Sequence, residues 1–559
     1  MVGEPDTHEV SRFRRTPADV MRLARMGSAH PSRLSFLRIL LRRLRGEGWR
    51  FDRPLWEIDE NGVGRAVYRA IGPQRTYSLV AFAHDLPPEM RTDRVIATAW
   101  DATFALVDGV PTAADLDRLE ANVPLQEAGR IGPGELSLSR ANRSVRLFEY
   151  VVDCLAAGRQ PDPAKVDAVG YLMRTTAVYG AGKFGAADHH RIADRPELSA
   201  PFQAEMLAVW LIRAFTVDII EHLAAARGGA TASPLDPDIK QGLGVGNSTG
   251  LGMAPFLVRH PVLLHHWMQA REEALARVRA LPTASDQAVA AFQAALTAAQ
   301  ENAAQWRSAH PIQVDKLTEL RADLDRLAAY ADAFDWRVSH PWNVLWDWGE
   351  GLSLEGQEAL LSLLLEPHGA LVDGLTDCMS ADEDASFRID GMVGVGTTRA
   401  RLEEHYDWAL ALDFDDPGAV AQFWYISEEK LEPRLGNRKD DAGAEREQPL
   451  GIAWLASRFH AALADVAADM PLAEFLLTQP EHRYMARRLQ IVARYPFAEV
   501  RDNLTGSDML PIDLMRCKLA FFGASRFDPR SDKWVRISLF QNEPYPSDLN
   551  AEASASAAR

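Results

Sequence analysis

The chain has 559 residues, 47% of them apolar and 25% charged, with a formal net charge of −17. That length and apolar share give room for roughly two to four domains with sizeable cores and exclude wholesale disorder. The acidic balance argues against a nucleic-acid-binding body, because phosphate backbones require a basic face.

The first 50 residues depart from this balance. They hold eleven arginines, no lysine and five acids, so the segment carries +6 and the remainder −23. Such a segment reads as a solvated basic helix pair, as a membrane-surface element, or as an arm docked on the acidic body of its own or a neighbouring subunit. Arginine suits the docked arm, because its planar fork pairs carboxylates through two parallel hydrogen bonds. Helices are expected over Pro17–Met26 and Pro31–Arg45, the second with Leu34, Leu37, Leu41 and Leu44 on one face.

The period then changes. Trp49–Asp59, Val63–Ala70, Thr76–His84, Arg94–Trp100 and Thr103–Asp108 read as successive strands, punctuated by Asn61-Gly62 and Gly72-Pro73. The links are too short for helical crossovers, so the sheet should be antiparallel.

Beyond Gly132-Pro133-Gly134 the steps of three and four through Leu138, Ala141, Val145, Phe148, Val152 and Leu155 predict one long helix, followed by a second over Pro163–Met173. The stretch Phe202–Leu223 is apolar nearly all round and should be a central buried helix. Arg213, Asp218 and Glu221 interrupt it, which excludes a membrane span. Three helices follow between Pro255 and Phe334, with prolyl breaks that imply antiparallel neighbours. Further on, a helix is expected over Leu354–Leu365, a strand over Phe387–Val395, and helices over Thr398–Leu412, Leu450–Met470 and Pro480–Arg494. Strands at Leu519–Gly523 and Trp534–Phe540 form a short C-terminal hairpin, and the Ala/Ser tail is expected to be disordered.

The expected fold is therefore α+β and predominantly α-helical: an N-terminal antiparallel sheet with helices, a large helical body and that short C-terminal β-hairpin. The boundaries are 1–48 for a basic helical arm, 49–130 for the β-rich domain, 131–515 for the helical body with glycine-rich loops, 516–548 for the C-terminal strands and 549–559 for the tail. Three scattered cysteines with no CxxC pair, and a start lacking a basic then apolar leader, point to the cytoplasm.

Two glycine-rich stretches carry the functional expectation. Arg174–Gly185 (RTTAVYGAGKFG) puts an arginine, a tyrosine and a lysine beside three glycines. Gly242–Gly252 (GLGVGNSTGLG) lies on the far side of the long apolar helix. Glycine is costly in regular structure, so both mark close approaches or turns, read here as two walls of one site. Gly180, Gly182 and Gly185 satisfy GxGxxG, but no amphipathic helix follows, as a dinucleotide site needs. Gly394 and Gly396 lack their third glycine. Gly246-Asn247-Ser248-Thr249-Gly250 fits GxSxG without the expected buried parallel strand before it. Asp413-Phe414-Asp415-Asp416 has the DxDD pattern of protonation-type terpene cyclases but no accompanying repeats, and Asp416-Pro417 reads as a helix end.

For metals, Asp218 and His222 lie one turn apart, yet no spacing matches a known signature, and the two are read as satisfying one another. Trp342 and Trp346 share a helix face and are expected in the core. The run from Arg501 to Lys518 could form a third wall or begin a helix near Pro511.

The resulting expectation is an enzyme of the lyase or hydrolase type, acting on a small anionic metabolite without metal or large organic cofactor. Arg174 would clamp the anion, Lys183 act as base or nucleophile, and Tyr179 as acid. Gly180, Gly182, Gly244 and Gly246 would offer amides to an oxyanion, and Asn247, Ser248 and Thr249 would bind substrate. The alternatives are a non-catalytic ligand-binding or scaffold protein, and a nucleotide- or flavin-dependent oxidoreductase. No nucleic-acid or membrane partner is expected, and homo-oligomerisation would run through the arginine-rich N-terminus.

Overall fold

The computed structural model describes residues 7–87, 100–123, 134–175, 194–198, 200, 202–250, 260–307, 311–379, 386–413, 424–426, 434–435, 445–446, 450–501, 511–531 and 534–557. The chain divides into two compact units. A helical unit takes 1–34, 250–521 and 529–535; a sheet unit takes 35–249, 522–528 and 536–559. The first 48 residues are thus shared between both. Together they make an α+β, helix-rich protein. Among the described residues no helix is long and apolar enough to cross a membrane.

The strands in chain order are β1 (Arg50–Ile58), β2 (Gly64–Ile71), β3 (Thr76–Ala83), β4 (Ala102–Asp108), β5 (Glu135–Arg143), β6 (Tyr171–Thr175), β7 (Gly244–Gly250), β8 (Trp424–Ile426), β9 (Arg434–Leu435), β10 (Glu445–Arg446), β11 (Arg526–Ser531) and β12 (Trp534–Leu539). Nine of them form one sheet in the order β1-β2-β3-β4-β5-β6-β7-β12-β11. From β1 to β4 every neighbour is antiparallel, as expected; β5 and β6 continue the antiparallel order, and β7 joins β6 in parallel. The parallel join needs a crossover, and the long helix Gln203–Gly228 supplies it.

Local chemistry explains the first turns. The Asp59 side chain accepts from the amides of Asn61 and Val63, both at 2.9 Å, while Gly62 takes φ +80°, so the β1–β2 connection is set by Asp-Glu-Asn-Gly itself. The helix Ala113–Asn122 starts with a capping box between Thr112 and Asp115. Its Leu116 and Leu119 cover one sheet face through Val67, Val80, Phe82, Ala105, Val107 and Leu138. The other face carries Tyr68 and Phe104, whose rings meet Phe215 of the crossover helix edge-on. Trp210, Phe215, Ile212 and Ile219 of that helix are fully buried. Burying each such side chain contributes about 1.5–3 kcal/mol, which makes this helix the centre of the sheet unit's core.

Several expectations are corrected. The stripe from Leu138 to Leu155 is not one helix: β5 occupies 135–143 and a helix begins at Phe148. Leu136-Ser137-Leu138-Ser139 alternates with period two, and pairing with β4 and β6 outweighs the longer three/four step. The helix beginning at Pro163 stops at Val169, because Gly170 adopts the left-handed conformation (φ 74°) and releases the chain into β6. Phe387–Val395 is irregular up to a single bridge from Gly394 to Pro471.

At the far end, Leu519–Phe522 is helical within Pro511–Phe522, so the hairpin drawn from 519–523 does not form. The last two strands instead extend the main sheet at its β7 side. Nor is the tail disordered. Pro546–Ala557 is a helix opened by Asp548, which accepts from the Tyr545 amide at 2.7 Å. Asn550 bonds both the amide and the carbonyl of Phe51, at 2.9 and 2.7 Å, tying that helix to edge strand β1. An alanine-rich segment needs only such an anchor to become helical.

In the helical unit, Pro261–Arg279, Asp286–Gln305 and Pro311–Ala333 are the three expected long helices, and Leu354–Leu365 is found at its expected bounds. A second core gathers Leu402, Tyr406, Ile452, Phe459, Phe475 and Leu489 from the helices between 395 and 494. The three short strands β10-β8-β9 form an antiparallel sheet of their own.

Arginines of the N-terminal segment engage acids of the same unit. Arg15 holds Glu272 through two 2.8 Å bonds and reaches Glu358 at 2.8 Å. Arg33 grips Asp373 with both arms of its fork, at 2.7 and 2.9 Å. In the sheet unit, Arg45 pairs with Glu552 at 2.7 Å.

Candidate functional site

The two glycine-rich stretches begin on adjacent strands. In the register of the parallel pair, Arg174 stands opposite Gly246 and Thr175 opposite Asn247. Antiparallel pairing on the other side sets Asn142 against Arg174 and Ala141 against Thr175. Side chains alternate along a strand, so Arg174 and Asn142 share one sheet face, while Thr175 and Asn247 share the opposite one. Arg174 and Gly246 are therefore neighbours on adjacent strands. Asn247 lies one residue along but on the other face, a correction that follows from the period of two.

Glycine at 246 is what lets the arginine lie there. A Cβ at that position would stand 2.7 Å from the Tyr171 ring and 2.9 Å from Arg174 Cγ, too close for any other residue without a shift. The second glycine-rich stretch thus makes room for the arginine of the first. Gly244 has a different reason to be glycine, since a Cβ there would run into the Leu539 carbonyl of β12. Its amide already donates to the Gly170 carbonyl at 2.9 Å, so it is not available to an oxyanion.

The surroundings are polar and closed. Arg174 and Thr175 are buried, as are Asn142, Arg143 and Asp101 on the strands beside them. The Asp101 carboxylate accepts from the Arg143 amide at 2.8 Å, and the Asp101 amide donates to Asn142 at 3.2 Å. The Arg143 guanidinium lies 3.7 Å from Asp101 and 3.6 Å from Glu149, over the Phe148 ring. Across the sheet, Asn247 is buried and its Nδ2 has no hydrogen-bond partner among the described residues. A buried amide donor left in that state costs about 1–3 kcal/mol, a cost that proteins retain where the group has work to do.

Chemically, these strand ends offer a desolvated guanidinium and a buried carboxamide at the carboxyl end of a parallel strand. Ligands in open sheets with parallel strands collect at such ends. Tyr179, Gly180, Gly182 and Lys183 lie outside the described residues. Ser248 and Thr249 belong to β7 by their backbone, and their side chains lie outside the described part. Among the neighbours of Arg174, Asn142 was missed, because the alternation that marks β5 was read at helical spacing.

The remaining suspects have structural roles. Asp218 and His222 do not satisfy one another: Asp218 accepts from the Tyr68 hydroxyl at 2.6 Å and from Arg53 at 2.7 Å, while His222 Nε2 sits 2.8 Å from the Asp59 carbonyl. Burial and that carboxylate push the Tyr68 hydroxyl well above its ordinary pKa. Trp342 and Trp346 are core residues, and Trp348 stacks on Tyr330 at 4.1 Å. Gly394 is the N-cap of the helix Val395–His405 and has no strand before it. Positions 414–416 and 502–510 fall outside the described residues; from Pro511 the chain is helical. Among the described residues no group of three or more His, Cys, Asp or Glu could hold a metal.

The sequence matches no protein-family model, no curated protein and no solved structure.

Proposed function

We propose that the chain is an enzyme doing acid–base chemistry on a small anionic metabolite at the carboxyl ends of β6 and β7. The observation that carries this reading is Arg174 laid across Gly246 on neighbouring parallel strands, a buried guanidinium for which a second segment of chain has given up its side chain. Arg174 would bind the carboxylate or phosphate of the substrate. Lys183 and Tyr179 follow β6 within a few residues and would serve as base and acid, giving elimination, addition or hydrolysis. Cys154 is buried and keeps a free thiol, in keeping with a reducing compartment.

A thermal-shift screen against carboxylates and phosphate esters tests the reading. A shifting ligand that is turned over, with Lys183→Ala lowering turnover by about a hundredfold or more, supports it. Turnover that survives the substitution ends it. A non-catalytic binding or scaffold role is the second reading, favoured by Gly244, whose glycine serves only the approach of β12. Ligand shifts without any turnover in either protein would decide for it.

A further inference from the structure

β1 is a border strand, with β2 on one side and no further strand beyond it among the described residues. A border strand presents unpaired amides and carbonyls to any chain that can pair with them, so folded proteins cover or interrupt it. Here the cover is the helix Pro546–Ala557. The Asn550 carboxamide accepts from the Phe51 amide at 2.9 Å and donates to the Phe51 carbonyl at 2.7 Å. These are the two bonds that a residue of a neighbouring antiparallel strand would exchange with Phe51. One side chain thus stands in for a strand. The rest of the hold is slight. Leu549 is the helix's one buried residue among those described, and Arg45 grips Glu552 from an exposed position, at 2.7 and 3.1 Å. Exposed ion pairs of this kind hold weakly.

The pattern along β1 sets what can take the helix's place. The Asp59 amide donates to the Val63 carbonyl at 2.9 Å, so Asp59 faces β2; alternation turns Glu57 and Leu55 the same way and Trp56 outward. A bulge between Asp52 and Leu55 resets the count, and Phe51 is outward again, as its bonds to Asn550 show. Phe51 and Trp56 also share a sheet face. Both rings meet the crossover helix, Phe51 at Trp210 and Trp56 at Phe215. An antiparallel copy of β1 that sets Phe51 against Trp56 therefore matches outward groups to outward groups and like face to like face. The same register sets Arg50 against Glu57, and a two-fold axis makes both matches twice. Arg50 and Glu57 are exposed, and opposite charges directly across a strand pair are favourable.

We propose that the edge of β1 is a self-pairing surface for a second copy of this chain, and that the helix Pro546–Ala557 is the guard that occupies it. Pro54 and the bulge interrupt the middle of the strand and leave its two ends to pair. Phe51 takes part in each Phe51–Trp56 match, so covering that one residue on each copy blocks both. A strand from another protein would need the same spacing of outward groups and charges, which β1 itself supplies. The strand-end site on β6 and β7 takes no part in this reasoning.

Light-scattering mass of the full chain, of a chain ending at Tyr545 and of Asn550→Ala tests the proposal. Tyr545 is kept because its hydroxyl donates to the Lys240 carbonyl at 3.0 Å and ties down that end of the chain. With rising concentration the shortened chain is expected to reach about twice the wild-type mass, its circular dichroism unchanged apart from the lost helix. Asn550→Ala should do the same at higher concentration. In dilute solution its Phe51 amide should exchange with solvent about tenfold faster than in the wild type, as the loss of one hydrogen bond implies. Arg50→Glu in the shortened chain sets like charges opposite one another and should abolish the dimer, and Arg50→Glu/Glu57→Arg should restore it. Partial unfolding gives no such rescue. A shortened chain that keeps the wild-type mass at every concentration overturns the proposal. So does a dimer indifferent to Arg50→Glu, which places the contact elsewhere, and so do large heterogeneous aggregates in place of a dimer.

Discussion

Two groups of arginines in the helical unit have opposite surroundings. Arg271, which is buried, and Arg15, which is largely so, meet the buried Glu272 and Glu358. Arg401 and Arg494 line an open hollow and have no ion-pair partner among the described residues. Burial forces the first group to be matched, because an unpaired charge out of water costs several kcal/mol. Solvent allows Arg401 and Arg494 to remain unmatched. Composition alone does not separate the two; what faces each guanidinium does.

The sharpest way to break this comparison is to unbalance the buried group. Glu358 is fully buried. Desolvation pushes its carboxyl up, yet the Arg15 and Arg271 guanidiniums outweigh that and hold it below the usual carboxylate range. Glu358→Ala leaves two guanidiniums to share Glu272 alone, and urea unfolding should show a loss of about 3–5 kcal/mol. A loss below about 1 kcal/mol would mean that water reaches the cluster and that the contrast is wrong.

A half-buried imidazole kept neutral is tested next, at His368. Its ring packs edge-on against Trp342, and Nε2 has no hydrogen-bond partner among the described residues. Burial, and secondarily the Arg33 guanidinium, hold its pKa down to about 4. The unfolded chain, near 6.5, binds the proton more readily, so stability is complete above pH 6.5 and drains away as the pH falls towards 4. The full amplitude is about 3 kcal/mol. His368→Gln should flatten the acid limb of a stability-versus-pH curve by that amount; an unchanged limb would show that the imidazole charges freely in the fold.

How much of this the residues announced depends on whether the cause is local. The crossover helix declared itself through apolar residues nearly all round from Phe202 to Leu223, and β1–β4 through alternation and the Asn61-Gly62 turn. For the arginine-rich opening, docking on acids was one of three readings, suggested by Arg without Lys, although the choice of Glu272, Glu358 and Asp373 as partners lies more than 200 residues away and leaves no local trace. β5 and β6 were hidden for a related reason: their identity is fixed by pairing with β4 and β7, and Gly170 was the single local signal that a helix had to end. Arg174 and Gly246 were picked out as glycine-region neighbours, while their fit to one another depends on a parallel register that only the fold sets. The Arg401 and Arg494 hollow was missed entirely, since arginines far apart in sequence look like ordinary surface charge.

A smaller effect probes the middle ground at Tyr406. Its hydroxyl donates to Glu499 at 2.8 Å inside the second core, where Arg488 also grips that carboxylate. Burial and Glu499 push the phenol well above its ordinary pKa, so it stays a donor at all working pH. Tyr406→Phe removes one of several bonds to a carboxylate that keeps its cation, so a loss of about 1.5 kcal/mol is expected in urea. A loss as large as that of Glu358→Ala would show that the hydroxyl, and not the Arg488 fork, keeps Glu499 charged.

The smallest expected effect decides the other side of the comparison. If Arg401 and Arg494 held the fold together, removing both would cost stability as the buried pairs do. They have no ion-pair partner among the described residues, and what the alanine variants remove is mutual repulsion and some surface packing. Arg401→Ala/Arg494→Ala should therefore unfold within about 0.5 kcal/mol of the wild type. Low salt should favour the variant slightly, because screening of the like charges is then weakest. A double variant that is several kcal/mol less stable would place these arginines with the structural group.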